Sequence, residues 1–402
     1  MISRRAWLLG LLASSAGGIY AWQRGMRYPM LSLEPSPLSK SVEGFSLAGR
    51  VSDCFQTPHT NTTFRAFAPE PSIEITAAET QNLAFRVNNI SPKAELSANL
   101  SVVTERREGI DRTISTRIRA GETLTLKWQF PTPFDFSFAA IGDTGGQKEL
   151  QWCLRRGEEL GAAFLLHLGD FYYQDGDYES AIAHFYESPV PCYVSIGNHD
   201  FHDGRMLHAQ FSDYIGPFNH AFTLGETQFL NIDTAANFLP RSGGKRGAFF
   251  EQISRSESIK RTIAFTHKPL HDPTGESTHD IGHSGERDWL IQQLKQVKVD
   301  SLLSGHIHIF DRSTYQGIDN IIVGQGLGHQ DLLTGRNDTS KIAIGKVTQN
   351  LELQYQFEAL NMPMSWHCHP RTDPVKASLR GSEHQALLDK IDAACNDDTP
   401  ST

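Results

Sequence analysis

Hydrophobic and polar positions change rhythm along the chain. Between residues 62 and 132 the runs are short and alternate: SIEITA, NLAFRVNNI, ELSANLSVV, STRIRA and ETLTLKWQF, separated by Pro, Gly and Asn. Alternation gives each strand one apolar face, and turn residues at this spacing predict a small all-β sandwich. Pro131 and Pro133 close the block. From 133 to 360 the apolar runs become nearly continuous and trade places with helix-period segments. FDFSFAAIGDTGG, AAFLLHLGDF, CYVSIGNHDF, KRTIAFTHKPLH and DSLLSGHIHIF read as buried strands. QKELQWCLRRGEELG, YESAIAHFYE and GERDWLIQQLKQV read as helices. A strand pair is expected in HAFTLGETQFLNIDT, and the block ends on IDNIIVGQGL, IAIGKVTQN and LELQYQFEAL. Strands that are apolar throughout need cover on both faces. The fold class expected is therefore α/β (α+β), stacked layers preceded by the all-β sandwich.

The flanks differ in kind. Residues 1–22 join Arg4-Arg5 to an apolar stretch and to small residues from Ala13 to Gly18, the layout of an export signal. Ser3 before the twin arginine and Trp7-Leu8-Leu9 after it resemble the twin-arginine class of signals. No clean A-x-A cleavage site follows, so the segment reads as a signal or a retained anchor, although it falls short of the ~20 residues of a membrane span. The expected location is outside the cytoplasm, periplasmic or extracellular, with membrane contact only through such an anchor. Residues 23–61, with YPMLSLEPSPLSK, read as a linker. Residues 361–402 read as a polar C-terminal tail with one helix near 382–394.

Composition narrows the class. At 402 residues, 39% hydrophobic and 21% charged, the chain is globular and long enough for two domains. A formal net charge of −9 leaves no basic stripe to neutralise a nucleic-acid backbone, so nucleic acid is not expected as a partner. A small phosphorylated substrate stays open, because a bound metal outweighs global charge locally. Cys54, Cys153, Cys192, Cys368 and Cys395 are scattered without a C-x-x-C, and no disulfide framework or thiolate zinc site is expected. The His367-Cys368-His369 triplet reads as a chance cluster in the tail.

Five polar stretches sit at or just beyond the carboxyl ends of expected strands, where α/β sheets bind ligands. They are GDTG with Asp143, GDFYY with Asp170 and Tyr173, GNHD with Asn198, His199 and Asp200, AFTH with His267, and GHIH with His306 and His308. In extended backbone His306 and His308 would share one side of their strand. Together the five supply carboxylate, amide oxygen, imidazole and phenolate, a donor set suited to metal.

This ordered set resembles the calcineurin-like metallophosphoesterase superfamily, most closely the purple acid phosphatases, whose pattern is G-D-x-G, G-D-x-x-Y, G-N-H-[DE], V-x-x-H and G-H-x-H. The likeness spans residues 135 to 350, and Ala264 for Val is the departure within the blocks. It implies a four-layer metallophosphoesterase β-sandwich flanked by helices over 133–360. It also implies Asp143, Asp170, Tyr173 and His308 around Fe(III), and Asp170, Asn198, His267 and His306 around a second divalent metal (Fe, Zn or Mn), with Asp170 bridging. Generic superfamily members carry a histidine where Gly145 stands; Tyr173 takes its place as a ligand in the purple branch. His199 is the implied proton donor, with Asp200 orienting it or raising its pKa. A second substrate-facing histidine is expected after His267; of His271, His279 and His283, His279 is preferred. His202 and His208 read as surface or supporting residues, and Asp311 and Arg312 as a structural pair.

The function implied is an exported binuclear-metal phosphatase, acid phosphatase-like, hydrolysing phosphate monoesters with metal-bound hydroxide as nucleophile. The alternatives are a phosphodiesterase of the same superfamily, a non-catalytic phosphate-binding or structural protein, and iron-based redox chemistry on peroxide. Oligomeric state, natural substrate and the role of the tail are not legible.

Overall fold

The structure, a computed structural model, describes residues 36–37, 47–58, 62–101, 103–201, 207–236, 242–253, 257–275, 279, 281, 284–328, 340–363, 377, 380–382 and 385–396. The segment read as an export signal or anchor lies outside these residues, as do His202, His283 and the His367-Cys368-His369 triplet. No helix among the described residues is long and apolar enough to cross a membrane.

The amino-terminal block forms two five-stranded sheets. One runs Ser36–Pro37, Leu47–Ser52, Ser72–Ala77, Thr123–Gln129, Glu95–Ala98; the other runs Cys54–Gln56, Thr63–Ala66, Gln81–Asn88, Asp111–Ile118, Thr104–Glu108. Alternation does the work expected of it. Along Asp111–Ile118 every second side chain is buried, and Ile73, Ile75, Leu124, Leu126 and Trp128 meet Phe64, Leu83, Val87 and Ile114 in one core. The expected linker 23–61 needs correction, because Leu47–Ser52 and Cys54–Gln56 are strands of this sandwich. LAGRVS shows little local alternation; its strand character comes from pairing with Ser72–Ala77, which its own pattern does not reveal. Thr104–Glu108 (TERRE) also escaped the pattern, since four of its five residues are exposed on a charged edge strand.

The second block stacks two sheets. The first is ordered Cys192–Val194, Leu165–His167, Phe136–Ile141, Lys341–Val347, Leu353–Ala359; the second is ordered His220–Leu224, Thr227–Ile232, Arg261–Thr266, Ser301–Ser304, Ile318–Val323, Phe310–Tyr315. Phe136–Ile141, Leu165–His167 and Cys192–Val194 run parallel, as do Thr227–Ile232, Arg261–Thr266, Ser301–Ser304 and Ile318–Val323. All their carboxyl ends therefore open toward the same edge of their sheets. Phe138, Phe164 and Phe229 pack between the sheets, Phe138 edge-on to Phe229 at 5.3 Å between ring centroids. Helices Lys148–Glu159 and Asp177–Tyr186 lay Leu150, Leu154, Ala181 and Phe185 into the same core. The outer face of the second sheet is covered by helices Ser242–Gln252 and Ser284–Gln296 through Phe249, Phe250, Leu290 and Leu294. The result is the expected helix–sheet–sheet–helix stack. Helix Ser242–Gln252 went unread because SGGKRG is a poor helix sequence and its cover of the sheet is tertiary.

Arg65 joins the two blocks. Its fully buried guanidinium donates to the carbonyls of Ile215, Phe185 and Cys192 at 3.3–3.5 Å and to Asn88 Oδ1. Asn89 exchanges hydrogen bonds with the Cys192 backbone, Cys192 N donating at 2.8 Å and Asn89 Nδ2 donating back at 3.0 Å. In the tail, helix Gln385–Asn396 buries Leu388 and Ile391. Cys395 is disulfide-bonded, while Cys54, Cys153 and Cys192 are buried free thiols.

Candidate metal centre

Asp143 stands just past Phe136–Ile141, Asp170 past Leu165–His167, Asn198 past Cys192–Val194, His267 immediately after Arg261–Thr266, and His306 and His308 past Ser301–Ser304. Two sheets thus deliver their carboxyl-end loops to one place. Close approach of these loops needs glycine. Gly169 has φ +92°, and a Cβ there would come within 2.8 Å of His267 Nδ1 and the backbone of Gly197; a Cβ on Gly197 would strike the Asp170 carboxylate. Asp143, Asp170 and His306 themselves hold left-handed backbone at φ 60°, 59° and 69°. Strained conformations of this kind persist where surrounding structure over-determines them, as at binding sites.

The side chains gather in two groups. In the first, Tyr173 Oη lies 3.2 Å from His308 Nε2, 3.4 Å from Asp143 Oδ1 and 3.5 Å from Asp170 Oδ2, and His308 Nε2 lies 3.6 Å from Asp143 Oδ1. In the second, His267 Nε2 lies 2.9 Å from Asn198 Oδ1, 3.1 Å from His306 Nδ1 and 3.3 Å from Asp170 Oδ2. Asp170 Oδ2 belongs to both. Its other oxygen, Oδ1, accepts the backbone N–H of His199 at 2.9 Å. Asp143 Oδ2 likewise accepts the His306 N–H at 2.8 Å. Each carboxylate is tied to the backbone by one oxygen and presents the other to the cluster.

The GHIH segment departs from the extended strand expected of it. Ser301–Ser304 ends before Gly305, and the backbone then folds through tight turns in which Ile307 N bonds Gly305 O at 2.8 Å and Ile309 N bonds Ile307 O at 2.6 Å. His306 turns to His267 and His308 to Tyr173 and Asp143, so the two imidazoles serve different groups instead of one side of a strand. Left-handed backbone at His306, which alternation cannot foresee, is the reason.

The donor chemistry fits metal. His267 Nδ1 faces the Leu168 carbonyl at 2.8 Å; with that nitrogen donating, Nε2 offers a lone pair to a point it shares with a carboxylate, an amide oxygen and a second imidazole. Lone pairs converging at 2.9–3.3 Å repel unless positive charge lies among them. The electrostatics agree. Burial pushes the Asp143 carboxyl up to about 7, against the pull of His308 and His267. Burial likewise works against ionisation of Asp170 and His267, yet their mutual attraction wins, holding Asp170 below the ordinary carboxylate range and raising His267 to about 9. Buried carboxylates here draw positive charge, and a cation at the same point would supply it with the imidazole neutral.

Around the cluster stand the other residues. His199 is half-buried, its ring centroid 4.8 Å from that of Tyr173. His279 sits with its ring 5.9 Å from His306 and its Nδ1 3.4 Å from the buried Asp272 carboxylate. His271 stacks on Tyr315 at 4.8 Å, and His208 is buried against Phe201. Two expectations change. Both carboxylate oxygens of Asp200 take backbone N–H groups, from Gly197 at 2.7 Å, Phe171 at 3.0 Å and Asp170 at 3.1 Å, so Asp200 shapes the loops. Arg312 pairs with Asp319 at 2.8 Å across its hairpin, where the Asp311 partnership was expected. Adjacent residues on a strand point to opposite faces, whereas Arg312 and Asp319 lie on neighbouring strands.

Sequence reasoning missed His167, Asp177 and Thr144. Asp177 accepts the N–H groups of Tyr173 and Gln174 and the side-chain amide of Gln147 at 2.8–3.2 Å, fixing the turn that carries Tyr173. The signal was an acidic residue at a helix start, four positions after Tyr173.

Compared with known families, residues 136–310 match the model of the calcineurin-like phosphoesterases. The chain carries a calcineurin-like phosphoesterase domain. The match spans most of the second block and ends just past His308. Among solved structures, a purple acid phosphatase from yellow lupin (Lupinus luteus) seeds is similar at TM-score 0.47 and 12% identity, over 73% of this chain and 70% of that one. A dimetal phosphatase from Danio rerio gives 0.40 and 14%, over 56% and 96%. GAP50, the anchor in the inner membrane complex of Plasmodium, gives 0.41 and 15%, over 56% and 85%. No curated protein matches the chain in sequence.

Proposed function

We propose that this phosphoester hydrolase is an exported phosphatase acting on phosphate monoesters at a binuclear centre. Asp143, Asp170, Tyr173 and His308 would hold Fe(III); Asp170, Asn198, His267 and His306 would hold a divalent Fe, Zn or Mn. The observation that carries the reading is the sharing of Asp170 Oδ2 between the Tyr173 group and the His267 group. Hard oxygen donors with a phenolate suit a ferric ion, and a mixed nitrogen–oxygen set suits a borderline divalent one. Bound there, two cations would supply Lewis acidity toward a phosphoryl group, a bound water and a leaving oxygen. The export part of the proposal rests on Arg4-Arg5 and the apolar stretch after them.

The chain's own residues do the rest. Asp143 and Asp170, buried and each tied to backbone through one oxygen, fix the position of negative charge without reorganisation. His199 is held beside Asp170 by its own N–H and beside Tyr173 by its ring; we assign it to protonate the departing alkoxide. His279, near His306 and facing Asp272, is the second histidine directed at substrate. Turnover of an aryl phosphate monoester and of the corresponding diester by metal-loaded protein tests the reading. Monoester turnover that disappears in Asp170→Asn is expected. A preference for the diester would move the assignment to phosphodiesterase, and no turnover of either would overturn it.

A further inference from the structure

His167 is fully buried at the end of strand Leu165–His167 and has no part in the reading above. Its two nitrogens are nonetheless both engaged. Nδ1 accepts the backbone N–H of Gly169 at 3.2 Å, which puts the ring proton on Nε2. Nε2 then donates to Thr144 Oγ1 at 2.9 Å, and the Thr144 hydroxyl donates onward to the Gly145 carbonyl at 2.7 Å. One imidazole thus connects the loop carrying Asp170 to the loop carrying Asp143. Two backbone bonds run alongside it, Asp143 N to Gly169 O at 2.9 Å and Gly145 N to Asp170 O at 3.1 Å. Phe171 and Phe185 rings stand edge-on to the imidazole, at 6.0 and 5.5 Å, and close off rotation.

The brace spans two residues with left-handed backbone. Asp143 at φ 60° and Asp170 at φ 59° are each held off their relaxed conformation, and the His167–Thr144 bond ties the two turns together away from the Tyr173 contact with Asp143. We propose that His167, through Thr144, is a positioning residue that sets the separation of the Asp143 and Asp170 carboxylates, and with it the ability of the site to take two cations at once. This rests on the binuclear reading of the site. A histidine buried neutral gives the brace a single tautomer with one donor and one acceptor, which neither a phenyl ring nor an aliphatic side chain can imitate.

The test uses full-length protein stripped of metal, with His167→Phe, His167→Gln, Thr144→Val and the double variant His167→Phe/Thr144→Val. Zn²⁺ is titrated into each by calorimetry, thermal midpoints are recorded, and aryl phosphate turnover is measured after loading. Wild type binding two Zn²⁺ per chain supports the binuclear reading on which the inference rests; one or none overturns that reading independently of the brace. For His167→Phe we expect weaker binding of the second Zn²⁺ by about 10- to 100-fold, with the first retained. Gln, which keeps a donor and an acceptor, should recover most of it. Thr144→Val should resemble His167→Phe, and the double variant should lose no more than the worse single one, because both cut the same chain of bonds. The inference is overturned if His167→Phe binds both ions like wild type, if Gln and Phe are equally impaired, or if the two single losses multiply. Thermal midpoints separate these outcomes from general unfolding: a variant whose midpoint falls in metal-free protein as far as its binding does is structural only, and that result also overturns the inference.

Discussion

Asp170 and His267 are bound to each other in a buried pair in which each reverses the effect of burial on its partner. Oδ2 and Nε2 lie 3.3 Å apart with neither side chain more than 2% exposed. Burial alone would neutralise both, yet Asp170 stays ionised and His267 rises to about 9. The pair marks where the two donor groups join, so Asp170→Asn is the most informative single change. It keeps shape and one hydrogen-bonding oxygen but removes the shared charge. Metal content measured on purified protein should fall from two ions per chain to one or none, and phosphate ester turnover should vanish with it.

Tyr173 is the residue that distinguishes an iron site from a generic divalent one. Its Oη reaches His308, Asp143 and Asp170 at 3.2–3.5 Å. Oxidised, iron-loaded protein should show a visible absorption band from tyrosinate-to-iron charge transfer, lost in Tyr173→Phe. Protein that holds iron and stays colourless when oxidised removes the ferric assignment.

Gly197→Ala probes how closely the loops must approach. A Cβ at this position runs into the carboxylate and backbone of Asp170, which cannot retreat because Asp170 N is bonded to Asp200 and Oδ1 to His199. Metal affinity should drop by about 10- to 100-fold, the range found when groups supporting a ligand are disturbed. Equal affinity in wild type and variant would show that the glycine is dispensable.

How these positions were read, and where reading stopped, follows from the physics of each. The motif blocks were legible because their residue types at strand ends have few other uses, and the buried strands because unbroken apolar runs need cover on both faces. The turns after Gly305, the helix Ser242–Gln252 and the strand Leu47–Ser52 were not, since left-handed backbone, tertiary cover and cross-strand pairing leave no local pattern. Asp200 shows the same limit: its neighbour in sequence is His199, but its partners in space are three backbone amides.

His220 gives a pH signature remote from the cluster. It is buried beside Asn231 at 3.2 Å, and burial pushes it down to about 3 from 6.5. The unfolded chain therefore takes up a proton below pH 6.5 that the folded chain refuses until about 3. Stability from this residue is fully present above 6.5 and is lost as the pH falls through that window, by about 2 kcal/mol at pH 5. Urea unfolding at pH 7 and pH 5 should show His220→Gln losing less on acidification than wild type. An equal loss in both contradicts the assignment.

Arg65 should matter for stability out of proportion to its place in the sandwich. Arg65→Met removes the guanidinium that donates to the Ile215, Phe185 and Cys192 carbonyls between the two blocks, leaving Cys192 with Asn89 Nδ2. A cost of about 1–3 kcal/mol for each buried acceptor left unsatisfied is expected, read as a shift of the urea midpoint at unchanged slope.

The central claim is that one carboxylate serves two cations. Diffraction from crystals of metal-loaded protein, with anomalous signal collected at the absorption edges of iron and zinc, addresses it directly. Two peaks about 3.5–4 Å apart are expected, with an Asp170 oxygen within bonding distance of both, Tyr173 on one and Asn198 on the other. A single peak, or two peaks of which Asp170 touches only one, would contradict it.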